Sequence, residues 1–309
     1  MSRSQPPRRS LTPAASPAAR GKRARANGAA SILAVDLDGT LLDSRGQPHP
    51  KDVRALRLAA KAGIHVSILT GRLYSGTRAT VEALGLKGPV GCVDGSHLVD
   101  ASTHKTLFHH GIAGKDAKKL RDSMATANPA TFLFAKDAVV HDADGDAYLG
   151  YVSTWSTDLR RAKRVLDHEL WEAPDGVTAV VAVGTALQIS QAVEAIRAAL
   201  PEIAQAVMFP IRRNPGSWGM VVRAAGGTKG TALKWLAKHH GVPMTNTVCV
   251  GDWLNDVAMF AAAGRSFAMG QAPDEVKRAA TDVLEETHDG GGGIAKAVER
   301  AFGIVVHAA

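Results

Sequence analysis

Two aspartates directly follow an apolar run in the segment SILAVDLDGTLLD, residues 31–43. Asp36 and Asp38 come after the residues ILAV and before Gly39 and Thr40. A carboxylate at the end of a buried strand can bind a divalent cation, attack an electrophile or transfer a proton. Asp-Gly is also common in turns, so a polar turn is the alternative for these two residues taken alone.

Further polar side chains follow other apolar runs of the sequence. Residues 70–72, Thr-Gly-Arg, come after VSIL, Asp252 comes after TVCVG, and Asp256 follows four residues later. Lys229 begins the helical pattern before that last run. Ligands of parallel α/β sheets bind beyond the carboxyl ends of the strands, so these residues are expected to meet the two aspartates there. Four carboxylates would repel one another without a cation, and an all-oxygen ligand set suits Mg²⁺.

The elements that must position these residues alternate along the chain. Strands are predicted at ILAVDLD, HVSILTG and GPVGCVD, and helices between them at PKDVRALRLAAKAG and TRATVEALG. After residue 224 the alternation resumes with helix GTKGTALKWLAKHHG, strand NTVCVGD and helix WLNDVAMFAAAG. This pattern predicts an α/β fold, a doubly wound parallel sheet built from residues 31–92 and 224–309.

The middle of the chain, residues 93–223, has a different pattern. Its strand candidates are THKTLFHHG, TFLFAKDAVVHD, VTAVVAVG, AQAVMFP and WGMVV. Helices are predicted between them at KDAKKLRDSMATA and ALQISQAVEAIRAAL. These residues are therefore predicted to form an α+β cap domain inserted into the α/β core.

Two further segments look like ligand loops. HDADGDAYLG, residues 141–150, has the spaced aspartates of a calcium loop, but its glycine comes one position early and the final glutamate is missing. A tight hairpin turn is predicted there instead. GGGG, residues 290–293, could surround a phosphate, but a turn into the last helix is predicted.

The positive charge of the chain is concentrated in its first thirty residues. The formal net charge is +8, yet residues 1–30 hold seven arginines and lysines and no acidic residue. The remainder is therefore nearly neutral. The tail is rich in Pro, Ser, Ala and Arg, which predicts a disordered basic extension, with targeting or nucleic-acid contact as the alternatives.

Two cysteines, Cys92 and Cys249, lie in apolar runs without CxxC spacing. The sequence also has no apolar run near the roughly 18 residues that a membrane span needs, and the tail lacks the apolar centre of a secretory signal. We therefore expect two reduced core thiols in a cytoplasmic protein that does not enter a membrane.

Four short motifs in this order resemble those of the haloacid dehalogenase (HAD) superfamily of phosphohydrolases. DLDGT is similar to the first motif, LTG to the second, Lys229 to the third and GDWLND to the fourth. The resemblance spans about residues 31–303. The long insertion and the ending SFAMGQAPDEVKRAATDVLEETHDGGGGIAKAVE are similar to the Cof-type branch with its α/β cap.

The resemblance implies a role for each motif residue. Asp36 would be the nucleophile that becomes an aspartyl-phosphate, and Asp38 the general acid and base. Mg²⁺ would be bound by Asp36, the Asp38 carbonyl and Asp252, with Asp256 as a ligand or acting through water. Phosphate and substrate would be bound by Leu37, Thr70, Gly71, Arg72, Asp94, Lys229 and Asn255.

One position departs from the branch. The Cof-type pattern usually has Asn-Gly after the third strand, and this chain has Asp94-Gly95. A carboxylate there could repel a second anionic group on the substrate or accept hydrogen bonds from sugar hydroxyls.

The resemblance implies a Mg²⁺-dependent phosphatase for small phosphorylated metabolites, with sugar phosphates favoured. A phosphomutase on the same fold is the first alternative, and only product analysis separates the two. A nucleic-acid-binding protein acting through residues 1–30 is the second alternative, and its binding should weaken steeply with salt. The sequence leaves the oligomeric state and the particular substrate open.

Overall fold

Fourteen strands and nine α-helices make up the part of the chain described by a computed structural model, residues 30–211 and 216–307. The strands are β1 (Ile32–Val35), β2 (His65–Ile68), β3 (Pro89–Cys92), β4 (His97–Asp100), β5 (Thr106–His109), β6 (Ala130–Ala135), β7 (Ala138–His141), β8 (Leu159–Arg161), β9 (Ala179–Gly184), β10 (Ala204–Pro210), β11 (Trp218–Ala224), β12 (Thr247–Gly251), β13 (Arg265–Ala268) and β14 (Asp282–Val283). The helices are α1 (Pro50–Lys61), α2 (Tyr74–Leu84), α3 (Gly114–Ala127), α4 (Leu149–Val152), α5 (Ala186–Ala199), α6 (Lys229–His240), α7 (Val257–Ala262), α8 (Asp274–Ala279) and α9 (Gly293–Phe302). The predicted basic tail lies outside the described residues, except for Ala30.

A five-stranded parallel sheet forms the centre of the core, in the order β14-β13-β12-β1-β2. β1 lies between β12 and β2, and every residue of β1 is buried. Successive side chains of a strand point to opposite faces of its sheet. Leu33 and Val35 accordingly share a hydrophobic cluster with residues of α1 and α9. Ile32 and Ala34 share another with residues of α6 and α7. The prediction of a doubly wound α/β sheet is therefore confirmed.

The helix ends fix how α1 and α9 lie on this sheet. α1 begins with Pro50 after His49, whose imidazole accepts a hydrogen bond from the amide of Lys51. Inside α1, the buried carboxylate of Asp52 accepts hydrogen bonds from the amides of Gly292 and Ala295 at 2.7 and 2.8 Å. A carboxylate at a helix N-terminus satisfies free amides there. The predicted glycine turn into the last helix is thus present and capped from α1.

A six-stranded sheet, in the order β10-β11-β9-β6-β7-β8, forms most of the inserted region. α3 and α5 pack on one face of it and share its hydrophobic cluster. The prediction of an inserted α+β cap is therefore confirmed. β3, β4 and β5 form a separate three-stranded sheet, in which β4 pairs with both β3 and β5. The domain boundary at residue 93 stays a prediction, because β4, the first strand after it, pairs with β3, a strand that was predicted for the core.

The prediction of a hairpin turn in HDADGDAYLG is wrong. The hairpin between β6 and β7 turns before that segment, at Lys136 and Asp137, which both have positive φ. The predicted segment instead forms a short 3₁₀ helix, Ala143–Tyr148. Asp142 begins this helix, since its carboxylate accepts hydrogen bonds from the amides of Asp144 and Val165. An aspartate bonded to its own following backbone starts a helical turn as readily as a hairpin.

Both cysteines, Cys92 and Cys249, are buried and unpaired, as predicted. Among the helices of residues 30–211 and 216–307, none is both long enough and apolar enough to cross a membrane.

Candidate active site

The carboxyl ends of three neighbouring strands carry the polar residues predicted for the site. Asp36 directly follows β1, Asp252 directly follows β12, and Thr70 lies two residues beyond β2. Lys229 is the first residue of α6, which Thr228 caps by accepting a hydrogen bond from the amide of Thr231. Because the strands are parallel, all of these residues lie at one edge of the sheet.

Lys229 joins two of the predicted carboxylates inside the protein. Its side chain is fully buried, and its Nζ lies 2.5 Å from Asp36 Oδ1 and 2.6 Å from Asp256 Oδ1. Burial by itself lowers the pKa of the Lys229 ammonium, but the charges of Asp256 and Asp36 outweigh burial and raise that pKa. The site therefore holds a permanent positive charge beside Asp36.

Three buried carboxylates, those of Asp36, Asp252 and Asp256, have oxygens that all lie within 4.8 Å of one another. Burial, and next the charge of Asp256, raise the pKa of Asp36 well above its ordinary value, although Lys229 lowers it. Burial and Asp256 also raise the pKa of Asp252 to about 6. One ammonium thus does not balance three carboxylates, and an oxygen-only set of this kind fits a divalent cation.

Asp256 has both of its oxygens engaged. Oδ1 accepts from Lys229, while Oδ2 accepts from the amides of Asp252 and Trp253 at 2.8 and 2.9 Å. These bonds fix the backbone that carries Asp252. Asp256 is therefore placed to orient both Lys229 and Asp252, whatever else it binds.

Asp38 lies outside the carboxylate cluster. Its side chain is about half exposed, at 52%, and forms a two-pronged ion pair with the guanidinium of Arg72. Arg72 also donates to the carbonyl of Gly76 at 3.3 Å. The structure thus separates the two aspartates of DLDGT into a buried one and an accessible one, two residues apart.

The remaining predicted substrate residues form a second group beside Thr70. The hydroxyl of Thr70 accepts from the Arg72 amide at 3.2 Å, and its carbonyl accepts from the Asp94 amide at 2.9 Å. The Asn255 amide donates to Asp94 Oδ1 at 2.7 Å. A side chain at Gly71 would meet that same Asp94 oxygen 3.5 Å from its Cβ. Thr70, Gly71, Asp94 and Asn255 are therefore contiguous.

Leu37 contributes to the site through its backbone. Its side chain is buried in the core, and its carbonyl accepts hydrogen bonds from the amides of Leu41 and Leu42. These bonds form the turn that carries Asp38 away from the strand. Trp253 and Leu254, by contrast, expose 41% and 49% of their area beside Asp252.

Three residues of the site were missed by the sequence analysis. Thr40 donates to Asp252 Oδ1 at 3.1 Å and lies within 3.5 Å of Asp36 Oδ2. Gln271 donates to the carbonyl of Gly39 at 2.6 Å, and Arg223 forms an ion pair with Asp94. Thr40 could have been found because it belongs to DLDGT itself. Arg223 has no signal beyond its position after the predicted strand WGMVV, and Gln271 has none beyond its place in the ending that resembles the Cof-type branch.

Buried carboxylates and a lysine meet at the carboxyl ends of the strands of a parallel sheet. This arrangement defines the class of protein as an α/β enzyme with its site at those strand ends. A family model of haloacid dehalogenase-like hydrolases matches residues 33–298. The chain therefore belongs to the haloacid dehalogenase-like hydrolase family.

Relatives with names support the same assignment. Phosphatase YwpJ of Bacillus subtilis is 28% identical over 279 residues, which cover 84% of this chain and 95% of that protein. Pyridoxal phosphate phosphatase YbhA of Escherichia coli is 28% identical over 262 residues, which cover 82% and 92%. A HAD/COF-like hydrolase structure from Plasmodium vivax shares the fold with a TM-score of 0.71 and 22% identity, covering 89% of this chain and 96% of that one. The predictions of the family, its Cof-type branch and a phosphatase-type hydrolase are confirmed.

Proposed function

We propose that this chain is a Mg²⁺-dependent phosphatase that hydrolyses small phosphorylated metabolites through an aspartyl-phosphate on Asp36. One observation carries the proposal: the buried Asp36 carboxylate lies 2.5 Å from the Lys229 ammonium, within a cluster of buried carboxylates. A carboxylate is a competent nucleophile when nearby cations neutralise the charge of the incoming phosphoryl group.

The donor set fits Mg²⁺. Asp36 and Asp252 would hold the ion together with the carbonyl of Asp38, and Asp256 would support them through its bonds to the Asp252 backbone. When bound, Mg²⁺ would neutralise negative charge on the transferring phosphoryl group. The hydroxyl of Thr70 and the ammonium of Lys229 would orient the phosphoryl oxygens.

Asp36 and Asp38 would divide the chemistry between them. An oxygen of Asp36 attacks phosphorus, the bond from phosphorus to the leaving oxygen breaks, and Asp38 gives that oxygen a proton. Asp38 then takes a proton from water, whose oxygen attacks phosphorus and releases Asp36. The accessible position of Asp38 suits this exchange, since its side chain is 52% exposed. Arg72 must release Asp38 during the cycle.

We further propose that the substrates are small phosphorylated metabolites, sugar phosphates among them, and that the protein is cytoplasmic. The relative YbhA is named for pyridoxal phosphate, a small phosphomonoester. The inserted six-stranded sheet would limit the site to small substrates by covering it. The two buried thiols, Cys92 and Cys249, agree with a reducing compartment.

The test measures phosphate release from a panel of phosphorylated metabolites, with Mg²⁺ or with EDTA. Wild type should release phosphate only with Mg²⁺, and Asp36→Asn should release none. Asp122→Asn, which changes a half-exposed carboxylate on α3, is the matched control and should retain activity. Folded wild type that releases no phosphate from any ester would overturn the proposal. An isomerised phosphosugar in place of free phosphate would indicate a mutase.

A further inference from the structure

Asp94, just after β3, and Arg223, on β11 of the six-stranded sheet, form a buried ion pair. The side chains of Arg223 and Asp94 are only 11% and 14% exposed. Burial lowers the pKa of Arg223 to about 10, so that the guanidinium remains charged at neutral pH. Within residues 30–211 and 216–307, neither its Nε nor its Nη1 makes a hydrogen bond, and Nη1 contacts Asp94 Oδ2 as an ion pair only. Arg223 is therefore a buried cation whose charge is balanced by one carboxylate, that of Asp94.

The pair lies beside the groups proposed to hold the phosphoryl group. The Asp94 amide donates to the Thr70 carbonyl, and the Asp94 carboxylate accepts from Asn255 and faces the Cα of Gly71. Asp94 has φ of 52° and ψ of 30°, a left-handed conformation that costs energy for a residue other than glycine. The backbone thus holds this carboxylate at the wall of the site.

We infer that Asp94 and Arg223 act as one neutral unit that selects substrates by the charge of their leaving group. Together they present hydrogen-bonding groups without net charge, which suits a hydroxyl-bearing, uncharged leaving group. A second anionic group would have to displace the Asp94 carboxylate to reach Arg223. The inference rests on the proposed phosphatase function and names its substrate class.

The charge of the unit changes in opposite directions in two single variants. Asp94→Asn leaves the Arg223 cation unpaired, so the relative kcat/KM for esters with an anionic leaving group should rise. Arg223→Met leaves the Asp94 anion unpaired, so the relative kcat/KM for the same esters should fall. The double variant removes both charges and should return to the wild-type preference. A tenfold shift in relative kcat/KM corresponds to about 1.4 kcal/mol, a size that one unscreened charge at this wall can supply.

The experiment uses sn-glycerol 3-phosphate and 3-phosphoglycerate, which differ by a hydroxymethyl against a carboxylate. Wild type should prefer the glycerol ester. The ratio of the two kcat/KM values should shift about tenfold toward phosphoglycerate in Asp94→Asn and about tenfold away in Arg223→Met. Arg265→Met is the control. It breaks a comparable ion pair, between Arg265 on β13 and Asp282 on β14, and should leave the ratio unchanged.

A second measurement separates this inference from the proposed function. Calorimetric binding of both esters in the Asp36→Asn background reports charge preference without turnover. If wild type hydrolyses no ester but the binding ratio shifts as described, the phosphatase proposal fails and the inference stands. If each single variant changes kcat/KM for the two esters by the same factor, the pair only joins β11 to the turn after β3 and the inference is overturned. Absence of both hydrolysis and binding overturns both.

Discussion

Lys229→Met replaces a buried cation by an apolar side chain of similar length. The ammonium lies 2.5 Å from Asp36 Oδ1 and 2.6 Å from Asp256 Oδ1, with no part of it exposed. Methionine keeps the packing of the stem and removes only the charge. The variant therefore measures what the cation contributes to a cluster of three carboxylates.

The expected loss follows from the burial of the partners. Removing one member of a buried ion pair costs about 3–5 kcal/mol, because the remaining charge is left uncompensated. For a chain of this size that corresponds to a fall in Tm of about 6–10 °C. The loss should depend on pH. The folded-state pKa of Asp36 and of Asp252 already lies above its ordinary value, and removing the cation raises both further. A carboxyl whose pKa is raised by folding favours the folded state below that pKa, so the stability of the variant should fall as pH rises from about 4 to above 6.

Thermal unfolding in EDTA and in Mg²⁺, at pH 5 and pH 8, checks this reasoning. Mg²⁺ should raise the Tm of Lys229→Met more than that of wild type, because the ion takes over the neutralising role of the ammonium. Phosphate release should fall at least about 100-fold, the usual cost of losing a donor to the transition state. Lys234→Met, at an exposed position of the same helix, should change stability by less than about 0.5 kcal/mol. A variant as stable as wild type in EDTA at pH 8 would refute the reasoning.

Three further changes test other parts of the structure. Gly39→Ala places a Cβ 2.5 Å from Asp252 Oδ2 at a φ of +78°, so phosphate release should fall at least about tenfold. Gly46→Ala has the same backbone strain with nothing within 4 Å and should retain activity, and equal losses would contradict the contact argument. Burial, and next the charge of His109, lower the pKa of His97 to about 4. The free energy of unfolding should therefore fall as pH drops from about 6.5 to about 4. Urea unfolding of His97→Gln should show a free energy of unfolding that depends less on pH than that of wild type. Asp52→Ala removes the carboxylate that caps α9 and should lower the free energy of unfolding in urea by about 1–3 kcal/mol. Activity per folded molecule should stay normal, and a loss of activity would mean that α9 positions the site.

The sequence predicted most of the fold because its signals are local. Apolar runs of strand length, separated by helical patterns, indicated β1, β2 and β12, the three strands of the central sheet that carry the site. Ligands of parallel α/β sheets bind at the carboxyl ends of the strands. This general rule is why the sequence alone could place Asp36, Lys229 and Asp252 together. Local signals also misled where two outcomes share them. The aspartates of residues 141–150 suit a hairpin and a 3₁₀ turn equally, and the actual hairpin turn came earlier.

Charge balance at the site could not be predicted because it depends on partners distant in the sequence. Asp38 and Asp94 each look like a lone functional carboxylate along the chain. In the structure Asp38 pairs with Arg72 and Asp94 pairs with Arg223, and each arginine lies on a different element from its aspartate. A lone carboxylate at position 94 would disfavour an anionic group by repulsion, whereas the paired one contributes no net charge and disfavours it because the Asp94 carboxylate would have to be displaced from Arg223. The two arginines also differ in consequence, because Arg72 pairs with an accessible aspartate and can exchange partners. Arg223 is buried with its aspartate, so its pairing is a fixed property of the wall that any substrate must meet.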